Sequence, residues 1–171
     1  AGKLELDVHL FRIDRLLRDL AVILSANANN KLIEILFDID PDLPEVVLGD
    51  ALRLQQVLIN LGGNAIKFTA RGQVVIALRK VPSPDPASSS VGIEFSVADS
   101  GIGIAPEHHT RIFSGFTQAE GSTTRKYGGT GLGLVISQRL VAAMGGQLDL
   151  SSEVGRGTRF FFTLNLPVAK E

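Results

Sequence analysis

The chain has 171 residues, 44% of them hydrophobic, and its 17 Lys and Arg nearly balance 18 Asp and Glu. This length and composition predict one globular domain with a substantial core and exclude global disorder. A net charge of −1 gives no electrostatic attraction for DNA or RNA, so we expect no nucleic-acid partner. The absence of Cys excludes disulfides, iron–sulfur centres, Cys-ligated zinc and a thiol nucleophile.

No apolar run in the sequence approaches the roughly 20 residues that a membrane-spanning helix needs, and no signal peptide is visible. The chain opens with Ala1-Gly2 instead of Met, which predicts a piece of a longer protein. We therefore expect a cytoplasmic domain without direct membrane insertion, which leaves open an inner-membrane anchor in the parent protein.

Hydrophobic periodicity predicts strands and helices in mixed order along the chain. The predicted strands are Leu4–Phe11, Leu32–Ile39, Gln73–Val81, Val91–Ala98, Gln147–Ser152 and Thr158–Leu166. The predicted helices are Asp14–Ala26, a long helix that begins at the N-cap Asp50 and ends near Phe68, and Leu132–Met144, which Gly145 and Gly146 end. Strict βαβ repetition is missing, so the order predicts an α+β fold: a two-layer α/β sandwich with a mixed, mostly antiparallel sheet and helices on one face.

The long helix carries an unusual polar stripe. At 100° per residue, five polar side chains fall within an arc of roughly 80°, namely Arg53, Gln56, Asn60, Asn64 and Lys67. Apolar residues fill the opposite arc, and Leu52, Ile59 and Ile66 cover much of the remaining flank. Asn is a poor helix former, and a solvated face favours Glu and Lys, so the paired Asn indicate a ligand face as strongly as a solvated one. Asn64 could offer a neutral oxygen to Mg²⁺, which is often shared between a protein oxygen and phosphates.

Two glycine-rich segments follow the strand Val91–Ala98. Asp99-Ser100-Gly101-Ile102-Gly103 places a carboxylate at the strand end, where it can accept a hydrogen bond from an amino group, although an ordinary turn has the same sequence pattern. The second segment, Gly128–Gly133, has four glycines in six residues and leads into a helix, whose N-terminus favours an anion. Arg125 and Lys126 lie just upstream, either as solvated charges or as a cationic lid over phosphates.

Several other site types lack support in the sequence. The second segment is neither a P-loop nor a dinucleotide fingerprint, because no Gly-Lys-Ser/Thr follows it and no strand precedes it. His9, His108 and His109 have no zinc-site spacing, and neither a Gly-x-Ser-x-Gly elbow nor the signatures of eukaryotic protein kinases occur.

Taken in order, these motifs resemble the catalytic, ATP-binding domain of bacterial sensor histidine kinases of the hybrid type, within the wider gyrase-like and Hsp90-like (Bergerat, GHKL) ATPases. The resemblance runs from Leu4 to Pro167. It rests on an N box (56–68), a first glycine box (99–103), an F box (112–118), a second glycine box (129–134) and a closing glycine–threonine box (152–158).

The resemblance implies a role for each matching position. Asn64 would ligate Mg²⁺, Asn60 would lie near its waters or the phosphates, and Lys67 would contact phosphate; Asn60 and Lys67 are the residues expected to serve catalysis. Asp99 would accept from the adenine amino group of ATP or ADP, with Gly101 and Gly103 lining the base and Thr158 supporting that corner, often through water. The residues expected around the phosphates are Arg125, Lys126, Gly129, Thr130, Gly131, Leu132 and Gly133. The ATP lid would span about 114–130.

Two departures from the family pattern concern the lid and the phosphate acceptor. Ser114-Gly115 stands where the F box usually has Glu-Pro, which puts lid positioning in doubt more than nucleotide binding. The family's phosphoacceptor histidine lies on a separate dimerising hairpin, and none of the three histidines here has that context.

The resemblance implies an enzyme that transfers the γ-phosphate of Mg-ATP to a histidine on the dimerisation domain of the same protein, with a response regulator or receiver domain downstream. The isolated domain is expected to be monomeric, to bind nucleotide and to transfer little phosphate. One alternative is a hydrolytic ATPase of the same superfamily, although such relatives usually carry Glu where this chain has Asn60. Another is a nucleotide-binding regulatory module without phosphotransfer, favoured only by the altered F box.

Overall fold

The computed structural model describes residues 6–28, 31–69, 71–82, 89–101 and 132–168. Within them, the strands are β1 (His9–Arg12), β2 (Leu32–Ile39), β3 (Val46–Gly49), β4 (Arg71–Val81), β5 (Ser90–Asp99), β6 (Asp149–Glu153) and β7 (Gly157–Pro167). The helices are α1 (Ile13–Asn27), α2 (Ala51–Phe68) and α3 (Leu132–Ala143).

Five strands form the main sheet, in the order β2-β4-β5-β7-β6. Only β2 and β4 pair in parallel, whereas β4–β5, β5–β7 and β6–β7 are antiparallel. The other two strands, β1 and β3, form a small antiparallel sheet, which Val47 links to Val168 beyond the end of β7. The mixed, mostly antiparallel sheet of the sequence prediction is therefore confirmed.

Alternation along the strands directs one face of the main sheet to the core. Directly paired residues share a face, so Val97 of β5 lies beside Ile76 of β4 and Phe160 of β7, all buried. On the same face, two residues before Val97 in β5, Phe95 stacks on its partner Phe162 of β7, and the ring centroids are 5.0 Å apart. Helices α1 and α2 pack against the sheet, and α3 packs on α2. The opposite face carries polar cross-strand pairs, such as Arg79 with Asp38.

Helix α2 begins where the sequence predicted. The Asp50 side chain accepts a hydrogen bond from the Arg53 amide at 3.0 Å, which satisfies one of the free donors of the first turn. Its other carboxylate oxygen accepts from the Asp7 amide at 2.9 Å, so the same residue ties the segment before β1 to the helix. At the other end, the Lys31 ammonium donates to the carbonyl oxygen of Ile66 at 2.7 Å.

The C-terminus of α3 is closed by the two glycines that the sequence singled out. Gly145 has a φ of 91°, and its amide donates to Ala142, while the Gly146 amide donates to Val141 at 2.9 Å. A left-handed residue with such backward hydrogen bonds is the usual glycine cap of a helix. The chain then turns into β6, and this fixes where the closing pair of strands joins the sheet.

Three details of the sequence prediction are wrong. The predicted first strand, Leu4–Phe11, is too long at its start, because residues 6–8 are not strand and β1 begins at His9, where it pairs with β3. Strand β3 was not predicted, because four residues between Pro44 and the Asp50 cap are too short to show a period. Leu52, expected to help cover a flank of α2, is 70% exposed, whereas Leu54 in the same turn is only 2% exposed.

Candidate functional site

Asp99 and Thr158 form one corner at the end of the main sheet. They are 59 residues apart in sequence and directly opposite each other in the β5–β7 register. Asp99 is also opposite the buried Val74, so its side chain points to the face on which α2 packs. The structure therefore brings together Asp99 and Thr158, two of the four residues that the family resemblance assigned to the adenine end of the site.

The Asp99 carboxylate is oriented by backbone amides. Its Oδ1 accepts from the Gly101 amide at 2.9 Å and from the Thr158 amide at 3.3 Å. Its Oδ2 accepts no hydrogen bond from any residue in the described ranges. One oxygen is thus held in place while the other remains available to a ligand that carries a donor.

Burial raises the pKa of Asp99 above its ordinary value, and the two amide hydrogen bonds only partly oppose that shift. A carboxylate in a half-buried position interacts more strongly with a donor than it would in water, because solvent competes less for its oxygens. A perturbed carboxylate with an available oxygen is characteristic of a binding site.

The turn between β6 and β7 brings a second hydroxyl to this corner. The Ser152 hydroxyl donates to the Gly157 carbonyl oxygen at 3.0 Å, and Ser152 Oγ lies 2.9 Å from Thr158 Oγ1. Thr158 is only 7% exposed. Ser152 received no role from the sequence, although it begins the closing glycine–threonine box, and its position opposite Thr158 across a short turn is the signal that could have indicated this contact.

The polar stripe of α2 lies on the same side of the sheet. Asn60 Nδ2 donates to Oγ of the fully buried Ser137 at 3.2 Å, which shows that this part of the stripe faces α3. Asn64, one turn later, is half-buried, and no hydrogen bond joins its side chain to any residue that the structure describes. Lys67 is exposed. Ser137 had no sequence signal, because a Ser within an apolar helix does not reveal which neighbouring helix it faces.

The sequence-predicted residues thus fall into four groups. The structure places Asp99, Gly101 and Thr158 at one corner, and Asn60, Asn64 and Lys67 along α2. Leu132 and Gly133 lie in the first turn of α3. The remaining assignments lie outside the described residues, namely Gly103, Arg125, Lys126, Gly129, Thr130, Gly131, the F box and the lid.

Neither a protein-only metal cluster nor a membrane helix occurs in the described part of the chain. No group of three or more His, Cys, Asp or Glu side chains there is placed to hold a metal ion. None of the helices in that part is long and apolar enough to cross a bilayer.

Residues 49–168 match the family described as "Histidine kinase-, DNA gyrase B-, and HSP90-like ATPase". This span contains α2, the main sheet from β4 onward and every residue of the candidate site.

The chain belongs to the histidine kinase-, gyrase- and HSP90-like ATPase family.

Within this ATPase family, the similar curated proteins are sensor histidine kinases. The signal transduction histidine-protein kinase BarA of Escherichia coli is 42% identical over 166 residues, which cover 97% of this chain and 18% of BarA. The sensor histidine kinase GacS of Pseudomonas protegens is 41% identical over 171 residues, covering all of this chain and 18% of GacS. The chain thus spans about a fifth of the length of these relatives, and the predicted resemblance to the catalytic domains of histidine kinases is confirmed.

Solved structures of histidine kinases share the fold. The structure of full-length ShkA in complex with AMPPNP aligns with a TM-score of 0.83 at 38% identity, covering all of this chain and 34% of ShkA. The nucleotide-free catalytic domain of the histidine kinase ThkA aligns with a TM-score of 0.72 at 27% identity, covering 93% of this chain and 95% of that domain. The two-layer α/β fold of this ATPase family, predicted from the sequence, is therefore confirmed.

Proposed function

We propose that the chain binds Mg-ATP and presents the γ-phosphate to a histidine on a separate dimerisation domain of the same protein, upstream of a response regulator or receiver domain. The observation that carries this proposal is the Asp99 corner. A carboxylate with one oxygen held by two amides and the other available lies beside Thr158, on the face that also bears α2. The AMPPNP bound by ShkA supports a nucleotide as the ligand.

At the base end, Asp99 Oδ2 accepts a hydrogen bond from the exocyclic amino group of adenine. The amides of Gly101 and Thr158 keep Oδ1 from rotating into that position. As the family resemblance implies, Gly101 and Gly103 would line the base, and Thr158 would support the corner. An interaction with a charged acceptor contributes about 1.5–3 kcal/mol, so this contact decides the affinity for adenine more than any neutral hydrogen bond.

At the phosphate end, Asn64 is suited to Mg²⁺. Its amide oxygen is a hard, neutral ligand, and its half-buried side chain has no hydrogen bond within the described ranges. Because those ranges hold no cluster of acidic or His ligands, phosphate oxygens would supply the rest of the coordination, as Mg²⁺ commonly requires. The bound ion would neutralise phosphate charge. As the family resemblance implies, Lys67 would contact phosphate and Asn60 would lie near the ion's waters. The residues that would bind the phosphates are Arg125, Lys126, Gly129, Thr130, Gly131, Leu132 and Gly133.

In the reaction, an imidazole nitrogen of the acceptor histidine forms a bond to the γ-phosphorus. The bond from that phosphorus to the β–γ bridging oxygen breaks, and ADP leaves. The nucleophile comes from the partner domain, so this chain contributes orientation of the nucleotide and compensation of charge. Asn60 is consistent with transfer to a histidine rather than to water. Its carboxamide, which donates to Ser137, cannot act as the general base that would activate a water for hydrolysis.

Isothermal titration of the chain with ADP and ATP tests the binding step. Asp99→Asn should weaken ADP binding roughly tenfold to 150-fold, because it removes one charged acceptor from the amino group. The matched control is Asp149→Asn, which changes an exposed carboxylate on β6 and should leave affinity unchanged. Equal ADP affinity of Asp99→Asn and the original chain would refute the adenine assignment.

Phosphotransfer needs the partner domain. A chain extended to include the histidine hairpin of its parent protein should form acid-labile, base-stable phosphate from ATP, and the 171-residue chain alone should not. If the extended chain binds ATP but forms no phosphohistidine, the domain is a regulatory nucleotide-binding module. Substantial steady-state release of inorganic phosphate by the 171-residue chain would instead indicate a hydrolytic ATPase.

A further inference from the structure

We infer that Asp50 is a positioning residue for phosphotransfer, because it fastens the segment that leads into β1 to the N-terminus of the helix that carries Asn60 and Asn64. The inference rests on the proposed function, with the dimerisation domain joined to the chain ahead of β1, as the family resemblance implies. It concerns the alignment of two domains and not the binding of the nucleotide.

The Asp50 carboxylate connects two segments that lie 43 residues apart in sequence. Its Oδ2 accepts from the Asp7 amide at 2.9 Å, and its Oδ1 accepts from the Arg53 amide at 3.0 Å. Asp50 is only 5% exposed, so water competes little for either oxygen. These two hydrogen bonds, from Asp7 to Asp50 and from Arg53 to Asp50, are the Asp50 bridge.

The strands beside the Asp50 bridge hold the same two segments together. Strand β1 pairs along its whole length with β3, and β3 ends directly before Asp50. The Phe11 ring of β1 lies against Gly49, where a β-carbon would be 3.1 Å from it. After β1, the Ile13 amide donates to the Glu45 carbonyl oxygen at 3.0 Å. The segment before β1, the small sheet and the first turn of α2 therefore form one connected unit.

The connection matters for transfer because Asn60 and Asn64 lie further along the same uninterrupted helix. A reaction between groups on two domains requires their alignment, and a misplacement of about 1 Å that arises far from the chemistry can slow it about 100-fold. Nucleotide binding needs only the groups of this chain. Loss of the Asp50 bridge should therefore slow phosphotransfer and leave ATP affinity unchanged.

The test uses the chain extended to include the histidine hairpin. Asp7→Pro removes the amide that donates to Asp50 and leaves the hydrogen bond from Arg53 in place. The rate of phosphohistidine formation at saturating ATP should fall roughly tenfold, whereas the ATP concentration that gives half the maximal rate should change less than about twofold. Asp7→Ala is the matched control, since it removes the exposed carboxylate but keeps the amide, and it should retain the original rate.

A second variant breaks the Asp50 bridge from the other side. Asp50→Ser keeps a helix cap, because Ser and Asp are similarly good N-caps, but it offers one oxygen in place of two. Its transfer rate should fall as in Asp7→Pro. The double variant should be no slower than either single variant, because both remove the same hydrogen bond.

A role of Asp50 as a helix cap alone predicts the original transfer rate for Asp7→Pro, and that outcome overturns the inference while the proposed function stands. The inference is also overturned if Asp7→Pro weakens ADP binding by the 171-residue chain as much as it slows transfer, since the bridge would then support the nucleotide site. Should Asp50→Ser fail to fold, the comparison of Asp7→Pro with Asp7→Ala still decides. If the original extended chain forms no phosphohistidine, the proposed function fails and the inference fails with it.

Discussion

Gly157 lies so close to Asp99 that a β-carbon at position 157 would be 1.9 Å from the Asp99 carbonyl oxygen. Its φ of 109° is also one that side-chain-bearing residues rarely adopt. This glycine allows the start of β7 to approach the end of β5, and that approach places Thr158 opposite Asp99. The corner that Asp99 and Thr158 form thus depends on a glycine at position 157, where a side chain would not fit.

Gly157→Ala should therefore disrupt both stability and binding. We expect a loss of about 2–5 kcal/mol in the free energy of unfolding, because backbone strain and overpacking add, together with weaker ADP binding. Gly155→Ala is the matched control in the same turn. Gly155 has a φ of 83° but open space around its β-carbon position, so its loss should be about 1–2 kcal/mol, from strain alone. Urea unfolding measures both variants, and equal losses would contradict the close approach.

The raised pKa of Asp99 predicts that the ionised carboxylate, which the proposed adenine contact needs, makes the nucleotide-free chain less stable at neutral pH. Burial makes ionisation of this carboxyl less favourable in the folded chain than in the unfolded one. The stability that the protonated carboxyl provides is therefore fully present below the pKa that Asp99 has in the unfolded chain. It is lost as the pH rises through the pKa that Asp99 has in the folded chain. Asp99→Asn remains neutral and keeps an oxygen for the amides of Gly101 and Thr158.

Without nucleotide, Asp99→Asn should thus be more stable than the original chain at pH 7, and the difference should close below about pH 4. Urea unfolding at a series of pH values between 3 and 8, on the order of one pH unit apart, provides the measurement. A variant that is less stable than the original chain at neutral pH would show that the two amide hydrogen bonds outweigh burial.

Asn64 should govern the dependence of ATP binding on Mg²⁺. Asn64→Ala should weaken ATP binding roughly tenfold or more with Mg²⁺ present and leave it nearly unchanged in EDTA, because only the metal contact is removed. Gln56→Ala alters an exposed carboxamide earlier in the same stripe and should have no effect in either condition. Equal losses with and without Mg²⁺ would mean that Asn64 contacts the nucleotide itself.

The two adjacent glycines of α2 should respond oppositely to alanine. Gly62 faces the fully buried Leu24 of α1, and a β-carbon there would lie 2.7 Å from a Leu24 methyl group. A β-carbon at Gly63 would have no atom of the described residues within 4 Å, apart from the backbone of its own helix. Gly63→Ala should stabilise the chain by about 0.5–1 kcal/mol, since Ala is the better helix former. Gly62→Ala should be at least about 1 kcal/mol less stable than Gly63→Ala. Thermal or urea unfolding distinguishes them, and matching stabilities would mean that Leu24 moves aside freely.

Local signals predicted much of the fold. An Asp just before apolar residues at helical spacing predicts a helix N-cap at Asp50, and its side chain accepts the expected hydrogen bond from the Arg53 amide. Strand β2 has the predicted bounds, Leu32–Ile39, and Gly145 ends α3 in the left-handed conformation. Periods, caps and turns act over a few residues, which is why single-sequence patterns report them.

Contacts between segments that lie far apart in the sequence could not be predicted from local sequence patterns. No local pattern shows that β2 pairs in parallel with β4, because a helix and a second strand separate them in sequence. The hydrogen bond from Asn60 to Ser137 spans 77 residues, and it could not be read from the period of either helix. Strand β3 exists through its pairing with β1 and not through any preference visible in its four residues.

The sequence by itself determined the family, the order of the motifs and the chemical types available: two carboxamides on one helical stripe, a carboxylate after a strand, and glycines where a chain must approach closely. Only the tertiary structure decided that Asp99 and Thr158 share a corner, that amides hold one carboxylate oxygen, and that the hydroxyl groups of Ser152 and Thr158 lie within hydrogen-bond distance. The physical reason is that side-chain chemistry is a property of each residue, whereas the direction of a hydrogen bond depends on a partner that folding brings from elsewhere in the chain.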